Sequence, residues 1–288
     1  MNNRLHSLTP VLLTLLVLFS GCKEEESGSD EKHIILYQEL NRFISVHLPD
    51  GYTGSEPLPL LIAYHGAGDN GTNFQGGSGF DKQSDKHGFI VAYPSASGSN
   101  WAEGCNCIRP DLDGIDDVGF TDEIIDLMDE EYDIDRSRVY AAGYSQGGFF
   151  VHRLACQRAS RFSGFATVGS LISEPMAQMC NPSHPADIMM INGTSDGSVP
   201  FAGIQAGSQS ARGAFETMLT WKNINDCPES LTSETITSGS RTRHVHNIEP
   251  CNEGVRVRLH EIQNGPHEWP RGSIDAPSLI TEFFRLDQ

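Results

Sequence analysis

Basic residues are scarce in this chain: 20 Lys and Arg stand against 38 Asp and Glu in 288 residues, a formal net charge of −18. A surface with that balance repels polyanions, which excludes capture of nucleic acid or anionic lipid by charge. Long apolar runs are missing as well. The stretch Val11–Phe19 is too short to span a bilayer. No internal repeat is visible and no Pro/Ser-rich linker divides the chain, which argues for one large domain. Cys and His lack the regular spacing of a zinc site. The acidic run Asp111-Leu112-Asp113-Gly114-Ile115-Asp116-Asp117 fails as a calcium loop, with Asp116 where glycine is needed and no Glu at the twelfth position. It reads as a loop ending in a helix cap. No metal and no cofactor is expected.

What the N-terminus does have is the anatomy of an export signal. Arg4 supplies a positive charge, the apolar run follows, and small Ser20-Gly21 precede Cys22. The small residues before the cysteine resemble a bacterial lipoprotein cleavage box, which implies a signal peptide over residues 1–21 and a lipid on Cys22. Residues 22–34 then read as the lipidated cysteine and a charged, flexible tether, with the membrane contacted only through that anchor. Setting Cys22 aside leaves Cys105, Cys107, Cys156, Cys180, Cys227 and Cys251. An even number in an exported chain argues for disulfides. Sequence proximity suggests Cys156–Cys180 and Cys227–Cys251. The pairing of Cys105 and Cys107 stays open, because a C-x-C bridge closes a very tight ring.

From about His33 onward strand and helix patterns alternate. Phe43–Leu48 alternates apolar and polar residues, as a half-buried strand does. Leu58–His65, Phe89–Tyr93, Val139–Gly143, Phe165–Val168, Ile188–Ile191 and Val255–Ile262 are apolar runs suited to interior strands. Helical spacing spans Asp117–Asp133, with Asp117 as N-cap, and helices are expected over Gln146–Arg158, Ala211–Asn225 and Pro277–Leu286. The alternation implies a mostly parallel sheet with helices on both faces, one α/β domain over residues 35–288. Chemistry in such sheets gathers beyond the carboxyl ends of the strands.

Three candidates stand at such ends. Gly143-Tyr144-Ser145-Gln146-Gly147 matches G-x-S-x-G between an expected strand and an expected helix, the context of a nucleophile elbow. Asp196, in Gly193-Thr194-Ser195-Asp196-Gly197, follows the run at Ile188–Ile191; Asp187 lies at the wrong end of that run. His267, in Asn264-Gly265-Pro266-His267-Glu268-Trp269-Pro270, follows the last strand. His260 falls within that strand, and His244 and His246 in an expected polar loop. Serine, acid, histidine is the chain order of a triad on an α/β-hydrolase scaffold. The expected oxyanion donors are the backbone N–H groups of Gln146 and of Ala67, in the turn His65-Gly66-Ala67-Gly68. His65 itself is read as structural. Trp101 and Trp269 are candidate walls for an acyl or sugar group.

Those motifs, with Asp116-Asp117-Val118-Gly119-Phe120, occur in one order and resemble the polyhydroxybutyrate depolymerase-type esterases, which include feruloyl and acetylxylan esterases. The resemblance runs from about Phe43 to the end and extends to the cysteine positions. It departs at Cys105-Asn106-Cys107, where the family often has adjacent cysteines, at Pro266, where glycine is common, and at Ala67, where cysteine is common. It implies the α/β-hydrolase fold and a secreted serine esterase that needs no cofactor. A feruloyl or acetyl ester on polysaccharide is the expected substrate and a short-chain polyester the alternative. A peptidase lacks the gating domain it would need. The rival of another class is a glycan-binding surface lipoprotein without catalysis, which would show a broken triad.

Overall fold

The computed structural model describes residues 28–205 and 207–288. The expected signal peptide and Cys22 lie outside the described residues. Ten strands form one sheet: β1 (Ser29–Tyr37), β2 (Leu40–Leu48), β3 (Leu58–Tyr64), β4 (Ile90–Pro94), β5 (Ile134–Tyr144), β6 (Gly164–Val168), β7 (Ile188–Gly193), β8 (Thr232–Ser238), β9 (Arg241–Ile248) and β10 (Val257–Ile262). Their spatial order is β1-β2-β4-β3-β5-β6-β7-β10-β9-β8. The six central strands from β4 to β10 are parallel, and an antiparallel hairpin extends each edge.

Alternation along β3 shows why both faces are covered. Leu60, Ile62 and Tyr64 point into one core with Phe120, Ile124, Phe150 and Trp221. Leu61 and Ala63 point into the other with Phe74, Phe80, Ile280 and Phe283. Helices α4 (Asp117–Tyr132), α5 (Gln146–Gln157) and α7 (Ala214–Ile224) therefore cover the first face. Helices α1 (Gly71–Ser78), α2 (Phe80–His87) and α8 (Ala276–Phe283) cover the second. Two short helices, α3 (Arg109–Leu112) and α6 (Glu174–Met179), sit in loops. No helix among the described residues is long and apolar enough to cross a membrane.

Three expectations need correction. The stretch read as a tether runs into β1, which opens at Ser29 and pairs with β2 along its whole length. The hairpin turns at Gln38 and Glu39, both at positive φ (50° and 61°), the geometry whose twist matches a two-residue hairpin. His47 on β2 holds β1 and α2 together, with Nδ1 2.9 Å from Asp30 and Nε2 2.8 Å from Asp85. Burial alone would lower its pKa, but the two carboxylates outweigh burial and raise it. Second, His244 and His246 lie in strand β9, not in a loop. Ser233 and Thr235 on β8 hydrogen-bond their rings, so polar side chains do the cross-strand pairing that apolar ones do elsewhere.

Third, the N-cap of α4 is Asp116, whose carboxylate accepts the Gly119 N–H at 2.8 Å. Asp117 is wholly buried instead. It takes the Arg42 guanidinium at 2.6 Å and the Ala102 N–H at 2.7 Å, and Arg42 lies 3.8 Å over the Phe120 ring. Removing one partner of such a buried pair costs about 3–5 kcal/mol. The cysteines pair as Cys156–Cys180, Cys227–Cys251 and Cys105–Cys107.

Candidate active site

Ser145 sits between β5 and α5 with φ 52° and ψ −121°, a backbone conformation that costs about 1–3 kcal/mol and survives only where surroundings enforce it. Here they do. Its N–H donates to Val168 O at 2.8 Å, and its carbonyl accepts from Gly148 and Phe149. Gly147 must be glycine, because a Cβ there would overlap the carbonyl oxygens of Tyr64 and His65 at the end of β3. The elbow is thus wedged against the neighbouring strand.

Asp196 and His267 come from the loops after β7 and β10, adjacent parallel strands. A Cβ at Gly193 would overlap Gly265 O, so the two loops can touch only with glycine there. Ser195 N–H donates to Gly265 O at 3.0 Å and locks them together. The Asp196 carboxylate is buried. One oxygen accepts from the Ser198 and Val199 N–H groups at 2.8 and 2.7 Å, and the other is 2.7 Å from His267 Nδ1. His267 Nε2 is 2.9 Å from Ser145 Oγ. An ionised carboxylate can only accept, so Nδ1–H donates to Asp196, and Nε2 is left to accept the serine proton.

The loop His65-Gly66-Ala67-Gly68 lies directly against the serine: a Cβ on Gly66 would stand 3.4 Å from Ser145 Cβ. His65 is buried; it accepts the Ala96 N–H at Nε2 (3.1 Å) and donates from Nδ1 to Gly66 O (2.8 Å). Burial lowers its pKa, keeping it neutral. It shapes the loop. Gln146 opens α5, so its N–H is one of the free donors at a helix N-terminus.

The two tryptophans part company. Trp101 has no exposed surface. It stacks on Phe150 with centroids 5.4 Å apart and donates Nε1–H to His65 O at 3.0 Å. The expectation that it walls a substrate is corrected, because neither ring face is reachable; it supports the His65–Gly68 loop from beneath. Trp269 is half-buried between Phe74 and Phe80 and donates to Ser78 O at 2.9 Å, tying the His267 loop to α1 and α2.

Two further side-chain roles escaped the sequence reading. Tyr144 stacks on the His267 imidazole with ring centroids 5.2 Å apart; its place next to the serine was the available signal. The Gln146 side chain brackets the Trp101 backbone, accepting from its N–H at 2.8 Å and donating to its C=O at 2.5 Å. It also donates to Glu103 at 3.3 Å.

Burial first, and then nearby Asp111, push the Glu103 carboxyl up from 4.5 to about 8. A group with a raised folded pKa contributes stability in its neutral form that is complete below the unfolded value. That contribution is lost as pH climbs through about 8. Glu103→Gln keeps an acceptor for Gln146 and cannot ionise. Its melting temperature relative to wild type is therefore expected to rise between about pH 5 and about pH 9. Thermal scans at the two pH values check this; a constant difference refutes it.

Comparison with known proteins places these features in context. A family model described as Esterase PHB depolymerase matches residues 43–213. The chain is 28% identical to feruloyl esterase B of Piromyces equi over 233 residues, 78% of this chain and 42% of that protein. It therefore spans less than half of that relative's length. It is 29% identical to feruloyl esterase C of Emericella nidulans, covering 82% of this chain and 81% of that protein. Among solved structures, an acetyl xylan esterase from Aspergillus awamori superposes with a TM-score of 0.64 at 14% identity, over 89% of this chain and 99% of that one. At that identity the likeness speaks for the α/β-hydrolase fold alone.

Proposed function

This chain belongs to the Esterase PHB depolymerase family, and from that premise we propose that it is a serine carboxylic-ester hydrolase working through an acyl-enzyme. The observation that carries the reading is the continuous relay Asp196–His267–Ser145, with links of 2.7 and 2.9 Å. His267 takes the Ser145 proton as Oγ attacks the ester carbonyl. The N–H groups of Ala67 and Gln146 receive the oxyanion, and Asp196 holds the imidazole and balances its charge. The protonated His267 then gives its proton to the departing alcohol. Water, deprotonated by the same imidazole, attacks the acyl-enzyme and releases the acid.

Feruloyl or acetyl groups on a polysaccharide are the preferred substrates in this reading, supported by the named activities of the relatives above. An export signal over residues 1–21 and a lipid on Cys22 would hold the domain at a membrane surface. The described fold begins within seven residues of that cysteine, so the tether is shorter than the sequence implied. The test is the purified full chain against ferulate, acetate and 3-hydroxybutyrate esters. Release of ferulate or acetate from oligosaccharides at rates above the 3-hydroxybutyrate ester is expected. Preference for the polyester would reverse the substrate assignment, and failure to react with a fluorophosphonate probe would end the serine mechanism.

A further inference from the structure

A groove of about 730 Å³ opens between the β1–β2 hairpin and the loop after β4. Register places it on the catalytic edge of the sheet. Ile44 on β2 faces Pro94, the last residue of β4, and Phe43 pairs with Ile34 on β1. The hairpin's tip half therefore stands at the carboxyl ends of the parallel strands, where Ser145 also lies. The loop after β4 joins groove to site. Ala96 at its wall bonds His65, and Ser99 O accepts the Gly68 N–H at 2.9 Å. Counting β2-β4-β3-β5 across the sheet gives roughly 14 Å between groove and nucleophile.

The lining has a definite chemistry. Phe43 and Ile34 are 54% and 61% exposed, an apolar strip left uncovered on a described surface whose large apolar groups are mostly buried. Around it Asn41, Asn70, Thr72 and Ser97 offer amides and hydroxyls. Among the described residues no Asp or Glu lines the groove, and Lys32 does. An aromatic platform ringed by donors and acceptors suits a hydroxyl-rich ligand. An aliphatic polyester has ester carbonyls but no donors along its chain, and would leave the acceptors of these amides and hydroxyls unpaired. The missing carboxylates and the single cation complement a chain that is neutral or sparsely carboxylated, on a protein whose remaining surface repels anions.

We propose that this groove is a subsite for a polysaccharide chain. The glycan on the alcohol side of the scissile ester lies along Phe43 and Ile34, and its acyl group reaches Ser145 past the loop after β4. The proposal rests on the esterase reading of the Ser145 site and adds the element that would select polymer over small ester.

The test uses the full chain and compares kcat/KM on acetylated xylan oligosaccharides of increasing length with kcat/KM on 4-nitrophenyl acetate. In the wild type the ratio climbs with length. Phe43→Ala lowers the ratio for the longest oligosaccharide about tenfold. Leu36→Ala, on the same hairpin and 72% exposed but outside the groove, leaves it unchanged. A ratio untouched by Phe43→Ala overturns the proposal. So does an equal loss in Leu36→Ala, or a Phe43 effect seen with 3-hydroxybutyrate oligomers in place of glycans. If the wild type cleaves no ester, it is the esterase reading that falls. Calorimetric binding of de-esterified xylan oligosaccharides, weakened by Phe43→Ala, would then still support the groove, and absence of that binding would reject it.

Discussion

Ser145→Ala lowers kcat on 4-nitrophenyl acetate by about 10⁴- to 10⁶-fold while the protein keeps its fold. The size of the loss follows from what Oγ does in the proposed mechanism: it is the only atom of the relay that forms a bond to the acyl group. The fold survives because the features that create the elbow belong to the backbone and to its neighbours. Val168 O still receives the residue-145 N–H, and Gly147 still fits against the Tyr64 and His65 carbonyls. Alanine at φ 52° is strained to about the same degree as serine. Steady-state kinetics with a melting curve on the same sample checks both halves. Because serine and histidine act as one unit, adding His267→Ala to this variant should cost almost nothing more. Retention of more than about one per cent of wild-type turnover, or a second loss of full size in the double variant, would show that the unit is misassigned.

The convergence of Ser145, Asp196 and His267 was legible because the three residues obey a strong rule. Each follows an interior strand, and the order serine, acid, histidine leaves few alternatives once Gly143–Gly147 is taken as the elbow. Interior strands announce themselves as unbroken apolar runs, since both faces must be buried. The edges gave no such signal. Thr232–Ser238 is largely exposed and nearly all polar, so β8 is held by its ladder with β9 and not by burial. Helix α1 was invisible for a different reason: the segment 71–79 has four glycines, a composition that argues against helix, and tertiary contacts through Phe74 override it. Trp101 was misread because a loop tryptophan looks the same in sequence whether it faces solvent or a stacked Phe150. The Gln146 clamp was likewise hidden, since nothing local indicates that Trp101, 45 residues away, supplies both its partners.

Asp196→Asn is the sharper test, because it removes one charge and one acceptor while changing almost no volume. One carboxylate oxygen is committed to the Ser198 and Val199 N–H groups, at 2.8 and 2.7 Å. An asparagine must keep its carbonyl oxygen there, since turning the amide round would set two donors against two donors. Its NH₂ then points at His267 Nδ1, which has to become an acceptor, so the imidazole proton moves to Nε2. Nε2 can no longer take the proton from Ser145 Oγ, 2.9 Å away. The expected result is a fall in kcat of about 10³- to 10⁴-fold with KM little changed and the fold intact. The distinction from Ser145→Ala lies in labelling: the asparagine variant keeps its nucleophile and should still react with a fluorophosphonate, only slowly, whereas the alanine variant should not react at all. An asparagine variant within about tenfold of wild type would mean that the 2.7 Å contact between Asp196 and His267 orders a loop and does not set the tautomer.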